Sequence, residues 1–143
     1  MITVGVEAPG DEPPLPTAEV ESLIRAVFID HDTSAARATV IFTDDEHLRR
    51  LKKTYLNTDA YTDVIAFELN GTGEPLEAEI YISVDRAREN CATYGETLER
   101  ELRRLVIHGS LHLMGESDAT LAEQGAMRQL EDSYLDAVRR EPT

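Results

Sequence analysis

The run Thr97-Leu-Glu-Arg-Glu-Leu-Arg-Arg-Leu-Val-Ile-His108-Gly-Ser-Leu-His112-Leu-Met114-Gly115-Glu-Ser-Asp118 anchors the fold of this chain. Leu98, Leu102, Leu105, Val106 and Leu113 recur at helical spacing, which predicts a long helix over 97–114 with an apolar face. His108 and His112 are four residues apart, about 40° around such a helix, so both imidazoles leave the same face. Gly115 can take the left-handed conformation that ends a helix and turns the chain back. Asp118, three residues on, can then return to the same point. Two neutral nitrogen donors and one carboxylate, with a fourth position open, match the ligand set of a catalytic zinc site.

Spacing alone leaves a second reading open. His108 and His112 can equally be partly buried helix residues bonded to carboxylates, with Asp118 or Ser117 capping the last helix. Gly109 reads as a close helix-packing contact, because a larger residue there would face the core beside Leu105 and Leu113. The other two histidines, His31 and His47, stand alone and read as exposed polar residues.

Working outward, Ile2 to Val6 is expected as a first strand and Ala8 to Pro16, with four prolines, as a loop. Thr17 is expected to cap a helix with the core stripe Val20, Leu23, Ile24, Val27 and Phe28. Ala38 to Phe42 is β-branched and reads as a strand. Thr43 or Asp44 then caps a helix carrying Leu48, Leu51 and Tyr55. Asn57 to Asp63 is a loop and Val64 to Leu69 the next strand, with Asn70-Gly71 and Gly73 giving a hairpin-like connection. In Ala78 to Val84 apolar residues alternate with Glu79, Tyr81 and Ser83, which suits an exposed or edge strand. Asp85 to Tyr94 is a short helix. A last helix runs from about Leu121 to Val138 through Met127, Leu130 and Tyr134. The expected fold is α/β (α+β): one domain over residues 1–143, a small mixed sheet of about four strands packed by helices, with the histidines at the C-terminal end of the central helix.

The chain has 143 residues, 41% of them apolar, enough for a core without staples. Its single cysteine, Cys91, excludes an intramolecular disulfide and reads as a small buried hydrophobe in a reducing compartment. The N-terminus does not read as a signal peptide, and no run of about 18 apolar residues is present. The expected location is cytoplasmic. Net charge is −14, and only Lys52 and Lys53 among the 14 basic residues are lysines. Adaptation to a salt-rich cytoplasm and an arginine-biased genome with an acidic surface both account for this balance.

The string His108-Gly-Ser-Leu-His112-Leu-Met-Gly115-Glu-Ser-Asp118 resembles the H-G-x-L-H-L-x-G-x-D-H signature of the YbeY family of rRNA-maturation endoribonucleases. Tyr55-Leu-Asn-Thr-Asp59, Thr62-Asp-Val-Ile-Ala-Phe67, Glu79-Ile-Tyr-Ile-Ser83 and Glu101 to Ile107 resemble the family's loop, strands and run into the histidines. Together these stretches lie between residues 38 and 131. The resemblance implies a zinc-dependent, single-strand-specific endoribonuclease in small-subunit ribosomal RNA maturation and ribosome quality control. It implies one zinc ion on His108, His112 and Asp118, and ribosomal RNA and ribosomal subunit proteins as partners, with neither DNA nor a membrane among them. Two departures stand out. Asp118 occupies the place of the family's usual third histidine, resembling a branch that uses aspartate there. Leu56 stands where an arginine tied to RNA cleavage commonly follows the tyrosine.

The expected chemistry is metal-assisted phosphodiester hydrolysis by a metal-bound water, and beyond that water no catalytic side chain is identified. Glu116 is close in sequence and reads either as a proton relay or as a solvated turn residue. Zinc proteases of the H-E-x-x-H type carry a glutamate after the first histidine, where this chain has Gly109. RNA needs a cationic approach path. Arg49, Arg50, Lys52 and Lys53 on one helix offer it, as do Arg100, Arg103 and Arg104; each group also reads as an ordinary solvated face. Two other functions remain open: a non-catalytic ribosome-assembly factor whose zinc pins the last helix, and a zinc hydrolase of peptides or small molecules.

Overall fold

The computed structural model describes residues 1–9, 13–57, 62–70 and 75–140, with side chains through 137. Nine elements follow in the order β1 (Ile2–Glu7), α1 (Thr17–Asp30), β2 (Ala36–Thr43), α2 (Asp45–Leu56), β3 (Val64–Glu68), β4 (Leu76–Ser83), α3 (Val84–Tyr94), α4 (Leu98–Leu113) and α5 (Leu121–Arg140). The strands form one mixed sheet in the order β1-β2-β4-β3, parallel at β1-β2 and β2-β4 and antiparallel at β3-β4. This is the mixed α/β architecture expected. The turn expected at Gly71 and Gly73 and most of the loop expected over 57–63 lie outside the described residues.

Alternation along the strands explains which side is covered. Ala36, Ala38, Val40 and Phe42 of β2 and Ala78, Ile80 and Ile82 of β4 are buried and share one face. That face meets α1, whose Val20, Leu23, Ile24, Val27 and Phe28 are buried as the helical stripe predicts, and the central helix α4. The opposite face carries Tyr81 and Phe67, met by His47 and Tyr55 of α2 at ring distances of 5.9 and 5.7 Å.

β4 is an interior strand and not an edge, contrary to the reading of its alternation. One-sided burial reports that helices cover one face; it carries no information about whether both flanks are hydrogen-bonded. Thr17 does not cap α1: Pro16 holds that position, and its carbonyl accepts from the amides of Glu19 and Val20. Asp44, the other expected cap, accepts from the His47 amide at 2.8 Å. The buried stripe of α5 is Met127, Glu131 and Leu135, with Leu130 and Tyr134 on its shoulders. Cys91 is only partly buried on α3, its thiol donating to the Arg88 carbonyl, so it is not a core residue. His31 and His47 are likewise half-buried and not exposed: His31 Nδ1 lies 2.8 Å from the Val27 carbonyl, and His47 stacks on Tyr81.

No described helix is long and apolar enough to cross a membrane.

Candidate metal centre

α4 sets two of the three donors. Thr97 caps it, accepting from the Arg100 amide at 3.1 Å, and a Schellman turn ends it. In that turn the Glu116 amide bonds to Leu111 O and the Gly115 amide to His112 O, with Gly115 at φ +93°. A side chain is strained at that φ, so glycine suits the reversal. Gly109, which follows His108 in α4, faces the sheet. An added Cβ would lie 2.7 Å from Ile80 Cγ2 and 3.3 Å from Val64 Cγ2, so its absence lets α4 sit down on β3 and β4. The close contact expected at Gly109 is real, and its partner is the sheet.

Asp118 is not spent on capping. α5 begins with a capping box, in which Thr120 Oγ1 accepts from the Glu123 amide and Glu123 Oε1 from the Thr120 amide, both at 3.1 Å. Neither Ser117 nor Asp118 has that role, and the Asp118 carboxylate points back to the histidines.

His108 Nε2 and His112 Nε2 are 2.9 Å apart, and Asp118 Oδ2 lies 3.3 and 3.5 Å from them. Ligands about 2.05 Å from a tetrahedral zinc are about 3.3 Å from one another, so three converging donors at these separations fit such an ion. The tautomer also fits. His108 Nδ1 lies 2.6 Å from Glu131 Oε2, and a proton held there leaves the Nε2 lone pair for the ion.

Glu131 is the functional residue that the sequence reading did not single out. It is buried, and its second oxygen lies 3.1 Å from Nη1 of Arg104, itself 3% exposed. Arg104 also meets Asp132 at 2.8 Å. Burial alone would lower the His108 pKa, but the hydrogen bond and charge of Glu131, with Asp63 and Asp118, raise it above the ordinary imidazole value. On the Glu101 carboxyl burial acts the other way and raises the pKa; Asn90 and Arg104 oppose the rise, while Asp63 and Glu96 add to it.

The centre opens on a cleft of about 320 Å³ between α3, α4 and α5. Asp63, Glu101, His108, Asp118 and Glu131 line it, with Tyr94 and Arg128 also on its wall. The proposed cationic paths fare differently. Arg104 is buried in carboxylates, Arg103 pairs with Glu19 and Arg100 with Glu96, so that cluster offers no approach for RNA. Arg50 and Lys53 of α2 are exposed, but no α2 residue lines the cleft. Glu116 faces His31 at 3.5 Å.

Fold and centre together define an α/β domain with a three-donor His-His-Asp group, able to bind a metal ion, at the end of its central helix. A family profile described as Endoribonuclease YbeY matches residues 11–139. Endoribonuclease YbeY of Salinibacter ruber is 38% identical over 129 residues, covering 85% of this chain and 82% of the relative. That of Flavobacterium psychrophilum is 38% identical over 112 residues, covering 78% and 79%. A Thermotoga maritima protein solved in solution shares the fold, with a TM-score of 0.58 and 22% identity over 95% of this chain and 89% of that one. The chain belongs to the YbeY family of endoribonucleases.

Proposed function

We propose that this protein is a zinc-dependent, single-strand-specific endoribonuclease acting in small-subunit ribosomal RNA maturation and ribosome quality control. Its partners on this reading are ribosomal RNA and ribosomal subunit proteins, and its place is the cytoplasm. The observation that supports it best is the convergence of His108 Nε2, His112 Nε2 and Asp118 Oδ2 beside an open cleft, with Glu131 on the far nitrogen of His108. When bound, zinc would supply an acidified water and a Lewis acid for a phosphate oxygen. The chain's own residues do the positioning. Glu131 orients His108 and holds its Nδ1 proton, Arg104 balances the buried Glu131 charge, and the Gly115 turn brings Asp118 to the histidines. The aspartate makes the three-ligand set less positive than three histidines would.

The test is a paired measurement of zinc and cleavage. Purified protein is expected to hold about one zinc per chain and to cut single-stranded RNA in preference to duplex. His112→Ala is expected to lose both. Full zinc and full cleavage in that variant would refute the assignment.

Leu56, 50% exposed where the family commonly has an arginine, favours a second reading as a non-catalytic assembly factor. Ribosome association that survives His112→Ala, with no cleavage by the unaltered protein, would support it. A peptide-hydrolase reading loses further ground, because the position after His108 is a glycine seated on Ile80 with no room for a glutamate.

A further inference from the structure

The cleft beside the metal centre has two chemically different parts. Its inner wall is acidic: Asp63, Glu101, Asp118 and Glu131 all line it, and the one cation among them, Arg104, is already bonded to carboxylates. A polyanion is repelled by such a floor. The rim differs. Tyr94 is the last residue of α3, 67% exposed, and the chain turns away at Gly95 in the left-handed conformation, leaving the ring projecting. Across from it on α5, Arg128 places its guanidinium carbon 5.9 Å from the Tyr94 ring centroid. Arg128 makes no ion pair among the described residues, whereas Arg86, Arg100, Arg103 and Arg104 all do. In a chain of net charge −14, this sets an exposed cation with no carboxylate partner among the described residues against an exposed aromatic ring on a cleft wall.

We propose that Tyr94 and Arg128 form a nucleotide subsite on the rim of this cleft, holding one unpaired base and its phosphate next to the bond presented to the metal centre. This deepens the nuclease reading and rests on it. Arg128 lies over one face of the Tyr94 ring, so a base would stack on the other. It can do so only if its own face is free, so the subsite selects single strands, because bases inside a duplex are stacked on both faces. Arg128 supplies the phosphate contact that the acidic floor cannot. The cleft volume of about 320 Å³ lies at the small end of ligand pockets, suiting one nucleotide-sized unit.

The experiment uses a short fluorescein-labelled single-stranded RNA with the full-length, zinc-loaded protein, reading binding by anisotropy and cleavage by gel. Tyr94→Ala is expected to weaken binding by about 5- to 150-fold, the range of one base–aromatic stack, while Tyr94→Phe retains it. Arg128→Ala is expected to weaken binding and to reduce the salt dependence of log K by about one phosphate contact. Both alanine variants are expected to raise KM more than they lower kcat and to keep the zinc content of the unaltered protein. If the unaltered protein binds and cuts single strands and both alanine variants match it, the subsite is refuted while the nuclease reading stands. If the unaltered protein neither binds nor cuts RNA, both fall together.

Discussion

Glu131 Oε2 lies 2.6 Å from His108 Nδ1, and its other oxygen 3.1 Å from Arg104 Nη1, so one buried carboxylate serves a candidate metal ligand and a buried cation at once. Its charge raises the basicity of His108 and fixes the ring, the effect that outer-shell carboxylates have on ligating histidines. Glu131→Gln keeps the shape and removes the charge. Zinc affinity, measured by chelator competition, is expected to fall about 10- to 100-fold. An unchanged affinity would mean that Glu131 serves Arg104 alone. A signal for this residue was present in the sequence: a glutamate in register with Met127 and Leu135 sits on the apolar face of an amphipathic helix, where an unpaired carboxylate is costly. Its partner was not legible, because the meeting of Glu131 with His108 depends on how α4 and α5 cross. The ligands themselves were easier to find. His108 and His112 are related by local helix geometry, and Asp118 follows a turn that Gly115 announces.

At the scale of elements, the seating of α4 on the sheet is the contact that carries the site. Gly109→Ala would place a methyl 2.7 Å from Ile80 Cγ2, with Val64 Cγ2 at 3.3 Å. Overpacking of this kind costs about 1–3 kcal/mol, and alanine's better helix propensity returns up to about 1 kcal/mol. A net loss of about 1–2 kcal/mol is expected in denaturant unfolding. Ile80→Ala in the same chain should relieve much of the clash, so a double-mutant cycle should show coupling between the two positions. A stabilised Gly109→Ala protein would refute the close approach. Element types were readable throughout because each had a local cause: helical stripes in α1 and α4, β-branched runs in β2, an aspartate cap on α2. The place of β4 was not, since its alternation is satisfied equally at an edge or between two strands. Nor was the start of α1, where Thr17 looked like a cap although Pro16, with its restricted backbone, already occupies that position.

For the molecule as a whole, 28 acidic residues face 14 basic ones, and many of the arginines are drawn into local pairs such as Arg86–Asp45, Arg103–Glu19 and Arg104–Glu131. What remains is long-range repulsion among carboxylates, which works against the compact state. The Debye length shortens from about 10 Å at 0.1 M salt to about 3 Å at 1 M. That removes repulsion between distant carboxylates while sparing pairs in direct contact. The same salt should weaken a phosphate contact at Arg128, because counterions compete for it. Stability and RNA affinity should therefore move in opposite directions in one titration. The thermal midpoint is expected to rise by a few degrees for each kcal/mol of repulsion removed, while binding of the labelled single strand weakens. A midpoint that stays flat or falls would mean that the local pairs outweigh the net charge, and the salt-adaptation account would give way to arginine-biased composition. A rise that continues to molar salt would favour adaptation.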